Sequence, residues 1–91
     1  MKPFDWDDKK SRTLEKERSI CFEDIVIKIG EGFLLDSIEH PNKTKYAHQR
    51  MFIVNVNGYA FVVPYFEDEH VIRLITIFPS REYTKIYLGD K

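Results

Sequence analysis

Three runs of β-branched and aromatic residues between positions 51 and 78 are separated by polar turns, and each run predicts a strand. Met51-Phe-Ile-Val-Asn-Val56 is followed by Asn57-Gly58, then by Tyr59-Ala-Phe-Val-Val-Pro-Tyr-Phe66. Asn-Gly is a strong hairpin signal, because a two-residue type I′ turn needs positive φ at both positions. The polar run 67–70 turns the chain again, and Val71-Ile-Arg-Leu-Ile-Thr-Ile-Phe78 is the third strand.

A two-residue loop fixes the register. It sets Val56 opposite Tyr59, Val54 opposite Phe61, Phe52 opposite Val63 and Arg50 opposite Tyr65. With a side-chain period of two, one face carries Phe52, Val54, Val56, Tyr59, Phe61, Val63 and Tyr65. The other carries Met51, Ile53, Ala60, Val62, Pro64, Ile75 and Ile77. The aromatic face is the expected core face. Pro64 cannot donate to a ladder, so a bulge or a neighbour that stops short is expected beside it.

Upstream, the pattern changes to helical spacing. Asp7 is the expected N-cap of a helix from 8 to about 18, rich in helix formers and mostly solvated, with Trp6, Leu14 and Ile20 as its core contacts. Phe22, Ile25, Val26 and Ile29 fall at i, i+3, i+4 and i+7 and predict a second helix that ends near Gly30. Residues 33–38 read as a short extended segment whose free edge can add a partner's strand. Residues 40–49 read as a polar loop with a Pro-Asn turn. Ser80 caps a last helix from 81 to about 88, with Arg81 and Lys85 on one face and Tyr83 and Tyr87 on another. The sum is an α+β domain: an antiparallel sheet of three to four strands, preceded by two helices and followed by a C-terminal helix.

Ninety-one residues suit one domain. Seven Phe, five Tyr and one Trp supply bulky core material, and the lone Cys21 has no internal disulfide partner. The expectation for Cys21 is a small buried residue or a helix start. Without a signal peptide or long apolar run, a soluble cytoplasmic protein with no membrane partner is expected. Fourteen basic and fifteen acidic side chains nearly cancel. Attraction to a polyanion must therefore come from local clusters, here Lys43, Lys45, His48 and Arg50, and separately Arg81 and Lys85.

The three histidines have no recognised metal spacing, and neither a metal nor another cofactor is expected. No Gly-rich phosphate loop or nucleophile elbow is present. The residues at hand suit RNA cleavage without metal, in which the ribose 2′-OH attacks its own phosphate. One group accepts a proton, another donates one, each worth about 10²–10⁴-fold, and cations neutralise the phosphorane. Arg81 and Lys85 can clamp phosphate, and Arg50 adds a cation. Histidine titrates near neutral pH, which suits His48 to proton transfer. Tyr46, Tyr83 and Tyr87 can stack bases or donate protons. The same residue types also make an ordinary solvated surface.

Two phrases add to this. Phe4-Asp-Trp-Asp-Asp-Lys-Lys10, then Ile20-Cys-Phe-Glu-Asp24, resembles the opening of BrnT-type toxins, which run F-x-W-D-x-x-K and then K-H-G-[IV]-S-F-E-[ED]. The Trp6-to-Phe22 spacing matches. The ending Thr76-Ile-Phe-Pro-Ser-Arg-Glu-Tyr-Thr-Lys85 resembles that family's last strand and following helix. His40-Pro41-Asn42, Lys45-Tyr46 and Gln49 resemble a subgroup of small relatives. The resemblance implies a RelE-like fold and a ribonuclease toxin of a type II toxin–antitoxin pair, silenced by a protein antitoxin. It carries a phosphate role to Arg81, less directly to Arg50, and places Lys85 and Tyr87 in the site region. The chain departs from the family at Glu17-Arg18-Ser19, where K-H-G is usual, and at Leu14, where the family has asparagine. Ile75 and Glu82 stand where the subgroup has lysine. The lost positive charge motivates a competing expectation, a non-catalytic protein-binding module of the same fold. An unrelated α+β domain is a third, but no helix with a basic recognition face supports DNA binding.

Overall fold

The structure is a computed structural model that describes residues 2–89. Among the described residues it is α+β, with six strands and three helices. In chain order these are β1 (Phe4–Asp5), α1 (Asp8–Arg18), α2 (Phe22–Gly30), β2 (Leu34–Glu39), β3 (Arg50–Val56), β4 (Tyr59–Glu67), β5 (Ile72–Leu74), β6 (Phe78–Pro79) and α3 (Arg81–Leu88). The strands form one sheet in the order β1-β5-β4-β3-β2, and β6 also pairs with β4.

The hairpin has the expected register, from Val56 opposite Tyr59 to Arg50 opposite Tyr65. Asn57 and Gly58 have φ of 55° and 86°, as a type I′ turn requires. The Asn55 side chain accepts the Gly58 N–H at 2.8 Å and closes the turn.

The third strand differs from expectation. It is two short strands, with Tyr65 opposite Leu74 and Val62 opposite Phe78. Between those pairs, two residues of β4 (Val63 and Pro64) face three residues, 75–77. The extra residue is a bulge, and it falls where Pro64 has no N–H to offer. Its consequence is a correction: Ile77 is turned onto the aromatic face and is fully buried there, not beside Met51 and Ile53. Arg18, at the end of α1, donates to the Ile77 carbonyl at 2.5 Å and satisfies an acceptor that the broken ladder leaves over.

The sheet is also mixed rather than wholly antiparallel. β1 pairs parallel to β5, Phe4 opposite Ile72. Two residues are too few to show a period, so this strand reads in sequence as a lead-in. Arg73 and Asp5 form an ion pair at 2.5 Å across the same junction.

α1 and α2 cover the aromatic face. Asp7 caps α1 by accepting the Lys9 N–H at 2.9 Å, and Ser19 ends it in a left-handed conformation. Asp24 accepts the Cys21 N–H at 3.0 Å and starts α2. Leu14, Ile20, Phe22 and Ile25 are buried against Phe52, Val54, Val63, Tyr65, Ile72, Leu74 and Ile77. Phe52 and Tyr65 stack at 3.8 Å between ring centroids.

The opposite face is covered too, by α3. Tyr83 and Tyr87 pack on a smaller buried cluster of Met51, Ile53, Ala60 and Val62. Ser80 caps α3 through its hydroxyl, which accepts the Tyr83 N–H at 3.1 Å. The Thr84 hydroxyl accepts the Ala60 N–H at 2.9 Å and so continues the β6 ladder with a side chain. A second bulge, between Leu34 and Asp36, turns Leu34 to the main core and Leu35 to the α3 side. Among the described residues, no helix is long and apolar enough to cross a membrane.

Candidate functional site

The loop from 40 to 49 is hydrogen-bonded throughout rather than open. His40 N–H donates to the Gln49 carbonyl at 3.3 Å and closes its neck, Tyr46 N–H to the Asn42 carbonyl at 2.9 Å, and Gln49 N–H to the Tyr46 carbonyl at 3.0 Å. The Asn42 side chain accepts the Lys45 N–H at 3.1 Å. Asn42 thus starts a short helical turn, as its type favours.

This folded loop and the start of β3 enclose a concavity of about 270 Å³, lined by Glu39, His40, Lys43, Tyr46, Ala47, His48, Gln49 and Arg50. Three expected site residues, His48, Arg50 and Tyr46, therefore share one wall system. The fourth loop residue, Lys45, lies outside the lining, with its ammonium 5.3 Å from the Tyr46 ring centre. Lys43 pairs with Glu39. That pairing, with Arg50 contributing at longer range, holds the Glu39 carboxyl below its usual range, so Glu39 is an anion here and not a proton donor. Arg50 is exposed and donates to the Ser37 carbonyl at 3.0 Å.

His40 is the residue that sequence reasoning passed over. It is eight positions from His48, a spacing that suggests no metal site, yet the loop's fold places both in the same concavity. Its ring packs on Tyr46 at 4.4 Å. The signal was the Pro-Asn turn, which folds the chain back on itself. Among the described residues, no group of three or more His, Cys, Asp or Glu is arranged to hold a metal ion.

Arg81, Lys85, Tyr83 and Tyr87 sit elsewhere. Arg81 and Lys85 are exposed on α3. Thr84 anchors that helix at Ala60, opposite Asn55. Arg50 lies five residues from Asn55 along β3, a span of roughly 17 Å at about 3.4 Å per residue. Neither Arg81 nor Lys85 lines the loop concavity. Tyr83 and Tyr87 use their rings to cover the second core, 6.1 Å apart. The Tyr87 hydroxyl donates to Asp36 at 2.6 Å. That bond, with some burial, pushes the Tyr87 pKa up to about 12. Asp36 also accepts the Ser37 N–H at 2.8 Å. Both main-chain groups of Ser37 are therefore taken by side chains, Asp36 and Arg50, which blunts the β2 edge where a partner strand was expected to dock.

Cys21 sits at the start of α2, half-buried. Burial raises its thiol pKa and the adjacent Asp24 carboxylate adds to the rise, which disfavours a thiolate. A larger groove of about 550 Å³ runs between α2 and the hairpin, with Ile20, Ile27, Val56 and Phe61 among its lining and Arg18, Asp24, Lys28 and Glu31 around them. It holds neither histidine nor tyrosine, so its character is that of a contact surface.

No protein-family model, curated protein or solved structure matches this chain.

Proposed function

We propose that this chain is a metal-independent endoribonuclease toxin of BrnT type, with the RelE-like form of the α+β fold, acting in the cytoplasm and neutralised by a cognate antitoxin. Two things support the reading: the phrase from Trp6 to Phe22 with its ending at Arg81, and the loop concavity. The single observation that carries the chemistry is the concavity, which gathers His48, Tyr46 and Arg50 from a hydrogen-bonded loop and the start of β3.

In this reading His48 accepts the proton of a ribose 2′-OH. The 2′-oxygen bonds to phosphorus and the bond from phosphorus to the 5′-oxygen breaks. The leaving oxygen takes a proton from water in the open concavity, giving a 2′,3′-cyclic phosphate and a 5′-hydroxyl. Arg50 offsets the charge that builds on the phosphorane, and Lys45, outside the concavity next to the Tyr46 ring, meets the substrate beyond it. The Tyr46 ring offers a stacking face to an unpaired base. Arg81 and Lys85, outside the concavity, hold the RNA backbone away from the reacting bond.

The competing reading is a non-catalytic protein-binding module. The α2–hairpin groove favours it, since Ile27 is 57% exposed there. Induced expression decides between them, alone and with the adjacent gene, beside RNA cleavage by the purified chain. A toxin arrests growth, the neighbour's product relieves the arrest, and the pure chain cuts RNA. A well-expressed, folded chain that binds the neighbour's product but neither arrests growth nor cuts RNA at any concentration is the binding module.

A further inference from the structure

The geometry points to His40 as a phosphate-binding residue of the loop concavity: a neutral imidazole whose Nε2–H donates to a non-bridging oxygen of the bound phosphate. This rests on the reading of the concavity as the RNA site, and adds a ligand that neither the basic clusters nor the resemblance assigns.

The orientation of His40 is set from three sides. Its Nδ1 accepts the Asn42 N–H at 3.1 Å. A nitrogen that accepts cannot carry the proton, so the neutral ring carries it on Nε2. Its backbone N–H is fastened to Gln49 across the loop neck, and one ring face lies against Tyr46. Pro41 fixes φ between His40 and the Asn42 that holds it, so little freedom is left to lose when a ligand arrives. A ring held in place this way has little to reorganise when an anion meets its N–H, which is what makes preorganised N–H groups effective toward anions.

The cations of the wall do not duplicate this. Lys43 is engaged by Glu39. Arg50 reaches the concavity from the strand side while tied to Ser37. His40 and Arg50 thus line, from two different elements, a loop neck and a strand end, a space of about 270 Å³. That size suits a phosphate with one attached nucleoside portion better than a duplex, near the lower end of small-ligand sites.

The test is a titration of the full chain with adenosine 3′-monophosphate, and separately with inorganic phosphate, following the imidazole ¹H–¹³C signals of all three histidines. His70, in the turn after β4, is the internal control. The expected result is saturable shifts at His40 and His48 but not at His70, with the Nε2–H form of His40 retained in its ¹⁵N pattern. His40→Ala should weaken binding about tenfold, the loss of one hydrogen bond to a charged group, and His40→Gln, which keeps an N–H donor, should recover part of it. The wild-type spectra stand even if a variant unfolds the loop. A still His40 while His48 moves and Arg50→Ala abolishes binding would overturn this role and leave the RNA site in place. Stillness at both loop histidines in a chain that cuts RNA would overturn the loop site as well.

Discussion

Tyr87 donates its phenolic proton to Asp36 at 2.6 Å, and this bond ties the end of α3 to the edge strand β2, 51 residues away in sequence. Asp36 in turn holds the Ser37 N–H, and the Ser37 carbonyl takes Arg50. The C-terminal helix is therefore connected, through the Tyr87, Asp36 and Arg50 side chains and the main chain of Ser37, to the rim of the loop concavity.

Tyr87→Phe keeps the ring on the second core and removes only this bond. The melting temperature at neutral pH should fall by a few degrees. The pH dependence has a fixed sign at both ends. The Tyr87 pKa is raised from 10.0 to about 12, so its contribution is full below about 10 and is lost as the pH rises toward 12. The Asp36 carboxyl is lowered, chiefly by Tyr87, then by the Ser37 N–H and the nearby Arg50. Its contribution is present above the ordinary carboxylate range and is lost as the pH falls through the lowered value. Melting curves of wild type and variant should converge in strong acid and in strong alkali. A gap that is the same at every pH would mean the hydroxyl acts through packing alone.

The bulge opposite Val63 and Pro64 makes neighbouring isoleucines unequal. Ile77→Ala removes a fully buried side chain and should cost about 2–5 kcal/mol, whereas Ile75→Ala, at a half-buried position, should cost clearly less. Urea unfolding of the two variants measures the difference. Equal costs would mean that the third strand keeps the unbroken alternation.

Ser11 is a buried polar residue, 6% exposed, and with Leu14 is one of two buried positions on α1. Its hydroxyl accepts the Phe22 N–H at 3.2 Å and so joins α1 to the start of α2. Ser11→Ala leaves that donor buried without a partner and should cost about 1–3 kcal/mol. Denaturant unfolding checks it, and a neutral result would mean that the Phe22 amide reaches water.

For RNA cleavage, the split between loop and helix predicts unequal losses. Arg50→Ala should lower the single-turnover rate by about 10²-fold or more, as loss of a charge-stabilising donor does. His48→Ala should lower it by about 10²–10⁴-fold. Arg81→Ala and Lys85→Ala should mainly weaken binding, with a shallower salt dependence of affinity and the bound-state rate nearly kept. A bound-state rate abolished by Arg81→Ala and untouched by Arg50→Ala would move the reacting phosphate to α3.

What the sequence determined by itself was local. Asn57-Gly58 set the hairpin and every pairing along it, because a two-residue turn leaves one register. The 3.6-residue stripe from Phe22 to Ile29 set the second helix, and Asp7 and Ser80 marked helix starts through caps that act within three residues. Pro64 even announced a break beside its own strand. The tertiary structure alone decided where that break would put Ile77, since one extra residue flips a face, and there Ile77 meets Arg18 and the core under α1 and α2. It alone brought β1 to β5, a pairing too short to leave a pattern. It also closed the loop so that His40 and His48 share a concavity while Arg81 and Lys85 lie outside it. Side chains distant in sequence meet through packing and loop closure, and no period of two or 3.6 records those contacts.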